Sequence, residues 1–288
     1  MTEAPTRGNR TAAADAPTQR AKEIQPAGSS AQVLEAEGLS RAMPGVVAGF
    51  STALPPGTDR ELTPQIRALL KGRGAEDPWH PVLLAQIHSA RILHPESQWV
   101  PGEGTFTPEG RSCLEGDGLQ GRRGDGHLFV VKTADCVPVL AVHTGLGAYA
   151  ALHAGWRGAA EGILPHLLDL WARAGGDPGG VHLSLGPHIG SCCYEVGPEC
   201  VAAFHPRHLR DAVAQTQGRP HLSLAQVLVN QAREAGVPAG QVDAGAPCTR
   251  CHVDDRGGAP FASYRRDSRQ GTRPVGRNVS FIAVVPGK

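Results

Sequence analysis

No apolar run in this chain of 288 residues approaches the ~20 needed to cross a bilayer. The N-terminal stretch also lacks the apolar segment of a secretory signal. Charge of one sign is missing too. Net charge is +1, and no lysine- or arginine-rich run offers a footprint for nucleic acid or a membrane surface. These absences predict a cytoplasmic protein. Seven cysteines, an odd number in no regular framework, fit a reducing compartment better than a disulfide scaffold. Aromatic residues are scarce, at 5%. What the chain has in plenty is 37 glycines and 24 prolines, which point to many turns rather than long helical bundles.

Residues 1–33 carry Ala, Thr, Pro, Gln and Arg with almost no large apolar side chain, and read as a disordered tail. Residues 34–288 form the folded domain, with an ordinary hydrophobic content of 40% for the whole chain. Strand-like runs occur at Val46–Phe50, Leu83–His88, Leu128–Val131, Pro138–Val142, Ala148–Leu152, Val181–Leu185 and Val279–Val285. A helical pattern runs from Gly158 through Trp171, with Pro165 tolerated only in a first turn or a kink. Ser223 to Ala235 is a second helix, with Ser223 as its N-cap and Gly236 just past its end. Strands dominate without regular alternation. The fold class is therefore α+β: one domain of mixed sheets flanked by helices.

Three segments carry the chemistry. They are Gln86-Ile87-His88-Ser89, Thr133-Ala134-Asp135-Cys136-Val137-Pro138 and His153-Ala154-Gly155-Trp156-Arg157-Gly158. Each puts a potential ligand at a strand end. Two imidazoles and a thiolate make a good zinc set, and three protein ligands leave a fourth position open for water. Taken singly, such residues are more often core or surface residues than ligands.

Together the segments resemble the signature of the laccase-domain family, once named multicopper polyphenol oxidases. The resemblance continues in Leu185-Gly186-Pro187-His188-Ile189-Gly190, Tyr194-Glu195-Val196-Gly197, Cys248-Thr249, Ser263-Tyr264-Arg265-Arg266-Asp267 and Gly276-Arg277-Asn278-Val279-Ser280-Phe281-Ile282. The family's members are described as zinc purine nucleoside phosphorylases with adenosine deaminase activity, and a bacterial member as a peptidoglycan editing factor. The resemblance implies His88, Cys136 and His153 as zinc ligands, with the metal site in a surface cleft. It also implies phosphorolysis of adenosine, inosine and methylthioadenosine, and hydrolytic deamination of adenosine. The partners would be a small-molecule nucleoside and phosphate, with no nucleic acid and no membrane. Ala53 stands where relatives usually have an arginine beside the site, which implies weakened phosphate binding. Asp117 matches the family's acidic position before the Cys strand.

Asp135 and Arg157 are the candidate catalytic residues. Arg157, Tyr194 and Arg265 are the candidate substrate-binding residues. Arg157 suits phosphate or a developing oxyanion, or else ties its loop to a carboxylate. Asp135 acts on a reacting group, orients a ligand imidazole, or stabilises a turn. Glu195 reads as a surface residue before a general acid or base, and Arg266 as pocket charge or a solvated partner of Arg265. Cys248-Thr249-Arg250-Cys251-His252 fits a haem-attachment pattern, set aside because attachment follows export. Cys248, Cys251 and His252 leave a second metal open. Cys192-Cys193 reads as packing. None of the 13 histidines forms a His-x-His pair, so a copper cluster that reduces oxygen does not fit; a single copper ion could replace zinc. Two other readings stay open. In one, Cys136 is a nucleophile with His153 as its base, hydrolysing an amide in a peptidoglycan precursor. In the other, the zinc is structural, with Cys251 or His252 as fourth ligand.

Overall fold

A computed structural model describes residues 32–54, 80–95, 114–271 and 275–285. The expected tail falls outside these residues up to position 31; Val33 belongs to a strand.

In chain order the strands are β1 (Val33–Glu35), β2 (Val46–Ser51), β3 (His80–Val82), β4 (Ile92–Leu93), β5 (Gly118–Arg122), β6 (His127–Thr133) and β7 (Val137–His143). After them come β8 (Ala148–Ala154), β9 (Val181–Leu185), β10 (Val213–Thr216), β11 (Arg219–Leu222), β12 (Val242–Asp243) and β13 (Asn278–Val284). They form a five-stranded sheet in the order β1-β2-β13-β6-β3, a six-stranded sheet in the order β12-β9-β7-β8-β5-β4, and the hairpin β10-β11. Most pairs are antiparallel, while β3-β6, β4-β5 and β9-β12 are parallel, so both large sheets are mixed. The helices are α1 (Glu37–Ala42), α2 (Trp156–Ala160), α3 (Ile163–Arg173), α4 (Pro198–Ala202), α5 (Leu224–Glu234) and α6 (Tyr264–Asp267). The α+β class read from the sequence is the observed one.

Strand alternation sorts side chains into layers. On β7, Leu140 and Val142 face one way, and on β8 Tyr149 and Ala151 join them. There they meet Phe50, Phe129, Val131 and Ile282 of the five-stranded sheet. The opposite faces of β7 and β8, including Val139, Ala141, Ala150 and Leu152, pack against Leu164, Leu167 and Trp171 of α3 and Val227 and Leu228 of α5. Both faces of β7 and β8 are thus dry, and every residue of these strands is buried. That explains their near-continuous apolar sequence.

Two local expectations change. The helix drawn from Gly158 through Trp171 breaks in two at Glu161-Gly162, where Gly162 takes φ +87°. Pro165 then sits in the first turn of α3, where its missing N–H costs nothing. The strand drawn over Leu83–His88 does not form. Only Ala85 bridges, to Glu115, and regular pairing stops at Val82. The amides of Ile87, His88 and Ser89 donate to the carboxylate of Asp117 rather than to a neighbouring strand. The helix expected from Ser223 is α5. Ser223 caps it by accepting from Gln226 N, and Gly236 follows it at φ +86°.

Candidate metal centre

The end of β8 and the turn between β6 and β7 meet at one rim of the six-stranded sheet. Pro138 pairs with His153, which sets Cys136 beside that histidine. The loop after β3 brings His88 over them. The Nε2 or Nδ1 atoms of His88 and His153 and the Sγ of Cys136 lie within 4.8 Å of one another. His88 is exposed, Cys136 half-buried and His153 buried, so the group opens to solvent on one side. The two imidazoles meet edge to face, with centroids 4.9 Å apart.

Asp117, fully buried just before β5, ties the group together. Its Oδ1 lies 2.7 Å from His153 Nδ1 and accepts from His88 N at 3.0 Å. Its Oδ2 accepts from Ser89 N at 2.6 Å and from the Ser89 hydroxyl at 2.8 Å. One carboxylate therefore fixes the loop of one ligand and the ring of another. With Nδ1–H donating to Asp117, Nε2 of His153 is left as the donor toward the centre.

Burial alone would raise the Asp117 carboxyl. The bonds from His153 and Ser89 outweigh it and hold the carboxyl below its ordinary value. Burial would also lower His153, but Asp117 and Cys136 raise it to about 9. Burial would likewise raise the Cys136 thiol, yet hydrogen bonds with His153 and His88 bring it down to about 7. Without a metal, thiolate and imidazolium coexist chiefly between pH about 7 and about 9. With one, the same three atoms are a ligand set of two nitrogens and one sulfur, which suits zinc or a single copper.

The glycines of His-Ala-Gly-Trp-Arg-Gly have a steric reason. A Cβ on Gly155 would lie 2.9 Å from His88 Cδ2 and 3.2 Å from Cys136 Sγ. A Cβ on Gly158 would lie 2.5 Å from the Ser89 carbonyl oxygen. Both positions let the His88 loop lie directly on the β8–α2 turn.

The remaining candidates fall into two groups. Asp135 has φ +92°, and both its carboxylate oxygens are engaged: Thr249 Oγ1 donates at 2.7 Å and Arg265 N at 2.6 Å. The Arg265 guanidinium lies 5.4 Å from the Tyr194 ring centre and donates to Glu195 O at 3.0 Å. Burial, with Cys200 and Cys136 nearby, pushes the Tyr194 hydroxyl up, so it stays protonated. These residues form a connected wall beside Cys136. Arg157 stands apart from that wall. It is exposed at the start of α2, with its guanidinium 4.4 Å from the Trp156 ring centre, and makes no ion pair among the described residues. Glu195 pairs with Arg219 at 2.8 Å on the surface. Arg266 is spent on Thr249 O, Phe261 O and Asp267. Cys251 and His252 are not among the three-residue group, so no fourth protein ligand from that segment joins it among the described residues. The residue that the sequence undersold is Asp117. Its only signal was an acidic residue ahead of the Cys strand, and burial cannot be read from that.

Residues 37–285 match the family described as multi-copper polyphenol oxidoreductase laccase. The chain belongs to this family. Its relatives include the protein named adenosine deaminase RL5, from an unknown prokaryotic organism, 32% identical over 59% of this chain and 65% of that protein. Another is a purine nucleoside phosphorylase of Deinococcus radiodurans, 32% identical over 65% of each chain. The chain thus spans just under two thirds of the length of these two relatives. Among solved structures, the Bacillus licheniformis hypothetical protein YfiH superposes with a TM-score of 0.69 at 27% identity, covering 88% of this chain and 96% of the other. Among the described residues of this laccase-domain chain, no group of histidines matches the copper cluster in the family description. The centre offers two imidazoles and one thiolate, not the many imidazoles that an oxygen-reducing cluster needs.

Proposed function

We propose that the chain is a zinc-dependent purine nucleoside enzyme. It would cleave adenosine, inosine and methylthioadenosine with phosphate and deaminate adenosine with water, acting in the cytoplasm. The observation that carries this reading is the open three-donor centre of His88, Cys136 and His153 with Asp117 behind it. The names of two relatives, an adenosine deaminase and a purine nucleoside phosphorylase, support the substrate class.

His88, Cys136 and His153 would hold the ion. Bound zinc supplies a water acidic enough to ionise near neutral pH. The chain's own residues do the rest. Asp117 holds His153 in one tautomer and orients the ring. Asp135 is a positioning residue, because its carboxylate braces Thr249 and the backbone of Arg265. Arg265 and Tyr194 line the wall against which a nucleoside would lie. Arg157, just past His153 and with no ion pair among the described residues, is the group for phosphate. With Ala53 in place of an arginine, Arg157 carries more of that task alone, so deamination is favoured over phosphorolysis. The test is product identification on the three nucleosides, with and without phosphate and chelator. Inosine from adenosine without phosphate, and free base only with phosphate, are expected. Inertness of zinc-loaded protein toward all three overturns the reading.

One observation favours a second reading. Cys136 at about 7 and His153 at about 9, with Asp117 behind His153, have the layout of a nucleophile, base and orienting carboxylate. It would hydrolyse an amide, such as that of a peptidoglycan precursor. Such activity survives a chelator and stops with a thiol alkylator. Zinc lost on Cys136→Ser counts against it.

A further inference from the structure

Four of the chain's seven cysteines converge at a place the nucleoside chemistry does not use. Cys192 and Cys193 follow the turn at Gly190, whose carbonyl accepts from Cys193 N and Tyr194 N at 2.9 Å. Cys248 and Cys251 bracket a Cys-x-x-Cys turn that pairs with the first segment through His188. We propose that Cys192, Cys193, Cys248 and Cys251 form a second, structural zinc site with four thiolate ligands, separate from the His88 centre.

The geometry supports it in three ways. All four sulfurs lie within 4.8 Å of one another, and Cys192 and Cys251 Sγ are 3.6 Å apart. With zinc–sulfur bonds of about 2.3 Å, a tetrahedral site sets its sulfurs about 3.8 Å apart, far from the ~2.05 Å of a disulfide. Next, donors surround the sulfur that would carry charge. Gly190 N donates to Cys248 Sγ at 3.3 Å, the amides of Arg250 and Cys251 point at the same atom, and the Arg250 guanidinium bonds Cys193. Four thiolates around one divalent cation leave an excess of negative charge, and these groups offset it. Third, a Cβ on Gly190 would lie 3.2 Å from Cys192 Sγ and 3.7 Å from Cys248 Sγ, so the glycine leaves room for both. A packing role for Cys192-Cys193 does not account for this convergence, since Cys192 and Cys251 are exposed. His252 takes no part and lies against Phe261, with ring centres 5.9 Å apart.

The ion would clasp two segments that reach the substrate wall. Thr249, between two of the ligands, donates to Asp135, and Tyr194 directly follows Cys193. An all-sulfur set selects zinc or iron–sulfur over harder ions, and a single zinc needs no redox partner.

The test uses cobalt as a spectroscopic stand-in for zinc. Cys136→Ser removes the thiolate that the described residues bring to the His88 centre and leaves the four cysteines intact. Cobalt-loaded Cys136→Ser protein is expected to keep an intense thiolate-to-cobalt charge-transfer band. Adding Cys248→Ser and Cys251→Ser should abolish it. Zinc should fall from two ions per chain to one in the Cys248→Ser, Cys251→Ser protein with Cys136 intact. A Cys136→Ser protein that shows no thiolate band overturns the proposal. So does a Cys192–Cys251 disulfide in protein purified without air.

Discussion

Asp117 sets the electrostatics of the centre from a fully buried position. Asp117→Asn keeps the shape but removes the charge that favours a proton on His153 Nδ1. An outer hydrogen-bond partner of this kind is worth about 10–100-fold in metal affinity. Competition with a chromogenic chelator should show a loss of that size, with helix and strand content unchanged by circular dichroism. The raised His153 and lowered Cys136 also fix a pH dependence. Metal needs His153 neutral and Cys136 ionised. Below about 9 it must displace a proton from His153, and below about 7 a second one from Cys136. Apparent affinity should fall by about tenfold per pH unit between those values and by about a hundredfold per unit below them. A pH-independent affinity would contradict the pairing of these two groups. The metal-free fold follows its own signs. The raised His153 contributes stability that is full below its ordinary value and is lost as pH rises through about 9. The lowered Asp117 contributes stability present above its ordinary value and lost in acid.

At the scale of elements, the contact between the His88 loop and α2 is the vulnerable joint. In Gly158→Ala the new Cβ meets a carbonyl oxygen at 2.5 Å, and backbone has to move. The loop carrying His88 shifts while Cys136, in the β6–β7 turn, and His153, on β8, stay in place. The expected outcome is a drop in metal affinity of at least about tenfold, with a stability loss of about 1–3 kcal/mol, read by titration and denaturant unfolding. The sequence showed these glycines as a string without showing what they make room for. It displayed β7, β8, β9 and β13 clearly, because buried strands announce themselves as short, mostly apolar runs. It misread Leu83–His88 for the same reason. Leu83-Leu84-Ala85 is as apolar as a strand, but the backbone after it turns onto Asp117, 30 residues from Ile87 in the chain. A pairing between a backbone and a distant side chain leaves no periodic trace. The α2–α3 break failed similarly, since a helical pattern on both sides of Gly162 hides a single left-handed residue. The candidate ligands were legible only as an ensemble, and the four-cysteine cluster only in part, because Cys192-Cys193 and Cys248–Cys251 look unrelated until the fold joins them.

For the whole molecule, the three candidate ligands come from three separate segments, so the unfolded chain does not present them together. Metal that binds only the folded state stabilises it by about 2.7 kcal/mol at 100 times the dissociation constant. The thermal midpoint should therefore rise with free zinc. In the variant lacking both Cys248 and Cys251, the remaining rise reports the His88 centre alone. The five-stranded sheet carries a different consequence. Its middle strand, β13, pairs with β2 on one side and β6 on the other, joining Ala283 to Val47 across most of the chain. On the ribosome, β2 and β6 emerge long before their shared neighbour exists. The six-stranded sheet, with Cys136 and His153, can close first, while two apolar edges wait for residues 278–284. A chain stopped before Asn278 should leave those edges open and aggregate, measurable as loss of soluble protein on expression. The nascent chain spends its synthesis with a nearly complete half that carries Cys136 and His153 and an unfinished one, and a chaperone that shields open strands would find its target in β2 and β6.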